Sequence, residues 1–124
     1  MNKISIFNIN HILKATKHSI KGIKAVFSSE VAFRQELIIL VIAIPLALYF
    51  GTTFLERFLL IIVWVQVLIA ELINSAIETI IDRIGSEQHP LSGKAKDIGS
   101  ALILITATCA IITWLIIIIH KFTS

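Results

Sequence analysis

The chain has 124 residues, 56% of them apolar and 15% charged, with a formal net charge of +3 and a mean hydropathy of +0.91. A water-soluble domain of this size leaves much of its surface wet and has no place for so much hydrocarbon, so a lipid bilayer is the expected solvent. No nucleic-acid partner is expected, and the only cysteine, Cys109, lies in a run of Ile, Leu, Ala and Thr, which sets aside redox chemistry and cysteine-based metal binding.

The stretch from Met1 to Phe27 bears lysines and is broken by polar residues. It lacks the continuous apolar core and small-residue cleavage site of a secretory signal, and the N-terminus is expected to be kept. From about residue 10 to residue 28 the spacing predicts an amphipathic helix: Lys14, Lys17, Lys21 and Lys24 fall on one side, and Ile12, Thr16, Ile23 and Phe27 on another. Such a helix fits the membrane surface, with its cations toward anionic headgroups, a reading that ranks ahead of, and is compatible with, packing on the bundle of another subunit.

Three spans are predicted, at about 31–50, 57–82 and 97–119, each near the ~20 residues needed to cross ~30 Å of hydrocarbon. The first brings Arg34, Gln35 and Glu36 into the headgroup region and contains Pro45, which predicts a kink. Lys3, Lys14, Lys17, Lys21, Lys24 and Arg34 precede it, while Arg83, Lys94 and Lys96 separate the second span from the third. By the positive-inside tendency the N-terminus and the 82–97 loop are cytoplasmic.

The middle span carries the chemistry. Glu71, Asn74, Ser75, Glu78 and Asp82 stand at i, i+3, i+4, i+7 and i+11, within a sector of roughly 100° on a helix. Carboxylates cost several kcal/mol at membrane depth unless they find partners, which makes Glu71 and Glu78 functional candidates. A helix from Phe58 to Asp82 would be about 37 Å long, so its cytoplasmic end projects into the headgroups. At that depth a soluble nucleotide could approach from the cytoplasm and a lipid hydroxyl from the leaflet. Asp82 also reads as an ordinary solvated helix end, and the whole stripe as a polar seam between helices.

The 83–97 loop mixes cations and carboxylates with a helix-start signal at Ser92, an arrangement able to hold phosphates through lysine and free helix amides. It is not a P-loop, since Ala95 follows Gly93-Lys94, and protein-kinase signatures are absent. His11, His18, His89 and His120 show no metal-ligand spacing. Carboxylates beside lysines suit Mg²⁺ and phosphate.

The segments Ala32-Phe-Arg-Gln-Glu36, Glu71-Leu-Ile-Asn-Ser-Ala-Ile-Glu78, Asp82-Arg-Ile-Gly-Ser-Glu87 and Leu91 to Ser100 resemble the prokaryotic diacylglycerol kinase family, over nearly the whole chain. The resemblance implies an all-α membrane protein, a homotrimer of three-span subunits with an N-terminal surface helix, in the bacterial cytoplasmic (inner) membrane. It implies transfer of the γ-phosphate of Mg·ATP to diacylglycerol, giving phosphatidic acid, at sites between neighbouring subunits. On that likeness Glu71 is the catalytic base, and Glu30 and Glu78 hold Mg²⁺ against ATP. Glu87, His89, Lys96 and Asp97 contact the nucleotide, Asn74 and Ser100 orient the acceptor with Glu71, and Arg34, Gln35 and Glu36 line the lipid entrance. His11, His18, Ile20 and Ser28-Ser29 depart from the family's usual residues, and His11 and His18 are not carried over as sites. The alternatives are a kinase acting on undecaprenol and a non-enzymatic or transport membrane protein with buried relay carboxylates.

Overall fold

A computed structural model describes residues 6 and 8–124; Lys3, counted above for orientation, lies outside them. The described residues form four helices, α1 (Ile9–Ser29), α2 (Val31–Phe50), α3 (Phe54–Ile84) and α4 (Pro90–Thr123). The last three are each long and apolar enough to cross a membrane. The protein is therefore an all-α membrane protein.

Helix α1 starts where the Asn8 side chain accepts a hydrogen bond from the His11 amide at 3.3 Å, a common N-cap arrangement. It contributes no buried residue, so its apolar side, including Ile12, Ile23 and Phe27, stays exposed on the single chain. At the joint with α2, Arg34 Nη1 donates to the carbonyl oxygens of Phe27 at 2.7 Å and Ser28 at 3.1 Å. A cation on the last carbonyls of α1 opposes the negative end of its dipole and sets where α2 departs. Pro45 lies inside α2, which remains helical to Phe50.

The turn from α2 to α3 is tied from both sides. Thr53 Oγ1 accepts from the Glu56 amide at 3.1 Å, and the Glu56 carboxylate accepts from the Thr52 and Thr53 amides at 2.7 and 3.1 Å. This reciprocal capping box satisfies amides that a helix start otherwise leaves bare. It begins α3 at Phe54, three residues ahead of the predicted span. Arg57 Nε donates to Gly51 O at 3.1 Å, folding the arginine stem over the glycine.

Helix α3 is the central element, packed along both α2 and α4, while α2 and α4 scarcely touch. A small core of Ala47, Leu60 and Ile117, flanked by Phe50, Ile61 and Trp114, joins all three near the α2–α3 turn. Trp114 Nε1 donates to Leu60 O at 3.0 Å, giving the indole a partner in an otherwise apolar setting. Lys121 donates to Tyr49 O and lies 4.2 Å from the centre of the Tyr49 ring, a cation over an aromatic face that pins the end of α4 to the end of α2. At about 1.5 Å per residue α3 and α4 are roughly 46 and 51 Å long, so both outrun the hydrocarbon core.

Gly51 has ordinary backbone angles, so space is what requires it. A Cβ there would sit 2.6 Å from Arg57 Cγ and 2.9 Å from Ala47 O. Gly51→Ala is expected to cost about 1–3 kcal/mol of stability by overpacking, measured by denaturant unfolding in detergent micelles. An unchanged midpoint would show that the turn yields freely.

Candidate functional site

The acidic stripe of α3 faces its own chain. Among the described residues Glu71 and Ser75 are the buried polar ones, at 7% and 6% exposure, and Asn74 and Glu78 are half-buried beside them. The buried, mostly apolar residues of α3 (Leu60, Val67, Leu68, Ala70, Ile81) flank the stripe, so the polar groups are seated by packing on both neighbouring helices.

Glu30 enters from the α1–α2 joint, where it ends α1 and begins α2. Its Oε1 accepts from Ser75 Oγ at 3.4 Å, a long hydrogen bond that brings the joint onto the stripe. One helical turn away, Asn74 Nδ2 donates to Glu78 Oε1 at 3.4 Å. Through Ser75 the Glu30 carboxylate is thus brought beside the stripe that carries Glu71 and Glu78.

Two oxygens in this region are buried without a hydrogen-bond donor, Glu36 Oε2 and Asn74 Oδ1. The second is accounted for by Gly99, which is itself buried; a Cβ on Gly99 would overlap Asn74 Oδ1. The amide oxygen thus lies against the bare Cα of Gly99, where a Cα–H contact is the one interaction open to it. Glu36 Oε2 is the other acceptor left without a donor from within the chain.

Beyond Glu78 the stripe runs into a cleft of about 750 Å³ between the end of α3 and the start of α4. Its walls include Asp82, Ser86, Glu87, His89, Ser92, Gly93 and Lys96. Glu78 and Asp82 are four residues apart, about 6 Å along the helix, so stripe and cleft are adjacent.

Helix α4 starts earlier than its sequence signal. The N-cap is His89, whose Nδ1 accepts from the Leu91 amide at 3.1 Å, with Pro90 as the first helical residue. Ser92 is therefore inside the first turn, and the expected start at Ser92 is corrected. Histidine is an unusual cap, but Pro90 has no amide hydrogen to satisfy and its ring presets the helical angle.

The other sequence-derived candidates divide. Glu71, Asn74 and Glu78 share the stripe and Glu30 reaches it through Ser75; Glu87, His89 and Lys96 line the cleft. Asp97, Ser100 and Gln35 are exposed on the single chain, and Arg34 is engaged with α1. Asp82 and Ser92 line the cleft although the family resemblance gave neither a role, and Ser75 joined the stripe without being assigned a task.

The donor set is all oxygen. Among the described residues no three His, Cys, Asp or Glu side chains are grouped to enclose a metal ion. Oxygen donors are the kind Mg²⁺ takes, usually one or two carboxylates with phosphate and water in its remaining positions.

Comparison with known proteins gives one result. The family described as prokaryotic diacylglycerol kinase matches residues 17–118. A diacylglycerol kinase of Escherichia coli (strain K12) is 46% identical over 111 residues, covering 90% of this chain and 91% of that one. One from Haemophilus influenzae is 44% identical over 106 residues, 86% of this chain and 90% of that protein. Another, from Pseudomonas aeruginosa, is 44% identical over 106 residues, 86% of each.

Gly99→Ala is expected to push Asn74 off α4, lowering stability by about 1–3 kcal/mol and disturbing Glu78 through the shared amide. Unfolding in micelles checks this, and adding Asn74→Ala should restore part of the loss. A double variant no better than Gly99→Ala alone would contradict the contact as its cause.

Proposed function

The chain belongs to the prokaryotic diacylglycerol kinase family, and we propose that it performs that reaction, moving the γ-phosphate of ATP to the hydroxyl of a membrane diacylglycerol to give phosphatidic acid and ADP. The observation that carries this reading is the buried Glu71 on the same face of α3 as Glu78, adjoining a cleft that holds Lys96.

Glu71 takes the proton of the lipid hydroxyl as that oxygen bonds to the γ-phosphorus and the bond to the β,γ-bridging oxygen breaks. The electron pair leaves with ADP, and the proton ends on the Glu71 carboxylate. No covalent intermediate is required, because phosphoryl transfer depends chiefly on alignment and charge neutralisation. Mg²⁺, when bound, would supply charge neutralisation to the nucleotide phosphates. Glu30 and Glu78 would hold it. Ser75 fixes Glu30 and Asn74 fixes Glu78, limiting how far either carboxylate must move.

Lys96 serves the phosphates as a cation in a partly enclosed cleft. Glu87, His89 and Asp97 serve the remainder of the nucleotide. On the lipid side Asn74 and Ser100 orient the acceptor. Glu36, with its unpartnered oxygen, and Gln35 line the entrance. Arg34 has five N–H donors, and those not spent on α1 can face lipid ester and headgroup oxygens.

The assembly is a homotrimer, with sites completed by neighbouring subunits. The exposure of Asp97 and Ser100 on the isolated chain favours this, since both have places in the reaction. The protein resides in the bacterial inner membrane with its N-terminus in the cytoplasm. The lysines of α1 and the cations Arg83, Lys94 and Lys96 then share the cytoplasmic side, where the nucleotide is.

Purified protein in mixed micelles is expected to consume ATP only when both Mg²⁺ and a lipid alcohol are present, with diacylglycerol preferred over undecaprenol. Equal or greater turnover of undecaprenol would overturn the substrate assignment, and turnover with neither lipid would overturn the kinase reading. Glu71→Gln should lose at least about 10²-fold in kcat, the lower range for a general base, with the oligomer intact by size-exclusion chromatography. Loss of the oligomer would mark Glu71 as structural. Glu78→Gln should raise the Mg²⁺ concentration needed for half-maximal rate; an unchanged metal dependence would remove it as a ligand.

A further inference from the structure

Helix α3 has a second face with its own pattern. Ile62, Gln66, Ile69, Ile73, Ala76 and Ile80 recur at alternating intervals of four and three residues. Ile62 is half-buried and the other five are exposed on the single chain, so α2 and α4 leave this face unpartnered. Alternating three and four is the spacing of a coiled-coil seam, and isoleucine at both seam positions disfavours two strands and favours three or more.

Gln66 decides what covers the face. It stands twelve residues after Phe54 in α3, about 18 Å from the outer helix end, which is near the middle of a ~30 Å hydrocarbon layer. Acyl chains offer an amide no partner, and a polar group at that depth needs one. A side-chain amide carries both a carbonyl acceptor and N–H donors, so another copy of itself is a sufficient partner. Copies of one chain in one membrane run parallel, and in a cyclic assembly a residue beside the axis meets its own counterparts.

We propose that the Gln66 side chains of three copies meet on the assembly axis, each amide donating to the next, and that this ring sets the register of the three α3 helices. The inference rests on the three-fold assembly put forward above and adds to it the residue that aligns its helices. A polar side chain at one seam position is a known means of fixing register and strand number. Gln66 lies about 120 to 140° around the helix from Glu78 and Glu71, at ~100° per residue. The ring and the acidic stripe therefore occupy different sides of α3, and aligning the central helices also fixes the relative height of the stripes on neighbouring copies.

The test uses the full chain carrying Gln66→Cys with Cys109→Ala, purified in micelles and exposed to a mild oxidant. About two thirds of the chains should become disulfide-linked pairs, because three thiols around a three-fold axis leave one over. Val41→Cys in the same background, on an exposed position of α2, should stay unlinked. Absence of linkage at position 66 overturns the ring, and complete conversion to pairs overturns its three-fold form. Should Gln66→Cys fail to assemble, Ile73→Cys, one heptad along, reads the same axis with the same expected yield. Lipid phosphorylation by the reduced variant separates this inference from the function above. Turnover without linkage removes the ring and leaves the kinase, whereas linkage without turnover does the reverse.

Discussion

A carboxylate inside a membrane must be given partners or not be there. The idealised cost of taking an ion from water into an apolar medium is of order 20 kcal/mol, and several kcal/mol remain after relaxation. Glu71 is nearly covered by its own chain, and much of the surrounding architecture follows from that. Ser75 and Asn74 sit within one turn of it and hold Glu30 and Glu78. Gly99 removes a side chain so that α4 can close over the amide. Helices α2 and α4 flank α3 and scarcely touch each other, which leaves α3 and its polar stripe in the middle.

The two ends of the bundle are built differently. At the α2–α3 turn the polar groups are matched inside the chain: Thr53 with Glu56, Arg57 with Gly51, Lys121 with Tyr49. That end joins three helices and leaves little to a ligand. At the other end the α3–α4 connection opens into a cleft lined by lysine, serine, histidine and carboxylates. Rigidity at one end and an open polar mouth at the other suit an enzyme whose lipid substrate stays in the leaflet while its nucleotide exchanges with water. Phosphoryl transfer rewards such fixed placement, because charge at the reacting centre is stabilised only by groups already in position.

Much of this was legible in the residues. The spacing of Glu71, Asn74, Ser75 and Glu78 could be read as one helix face because 3.6-residue periodicity is fixed by the backbone. Three long apolar runs announced the membrane fold. The start of α4 was not legible, since His89 is a poor cap by propensity and the charged residues after it resemble loop. Thr53-x-x-Glu56 carried a readable capping signal that the apolar run beginning at Phe58 overshadowed. That Arg34 would turn back onto α1, or that Gly99 of several small residues would meet Asn74, depends on helix crossings that no single-segment pattern encodes. Exposure supplied the remaining information, separating the face of α3 that carries the acidic stripe from the face left open.

In the proposed reaction the cation held with ATP lies at the stripe on α3. That placement is tested most directly by binding Mn²⁺ with a non-hydrolysable ATP analogue to protein carrying ¹³C-labelled glutamate carboxylates, and reading paramagnetic broadening residue by residue. The account predicts the strongest broadening at Glu30 and Glu78, less at Glu71, and none at Glu56, which is about 33 Å from Glu78 along the same helix. Broadening that spares Glu30 and Glu78 while affecting Glu87 alone would contradict it.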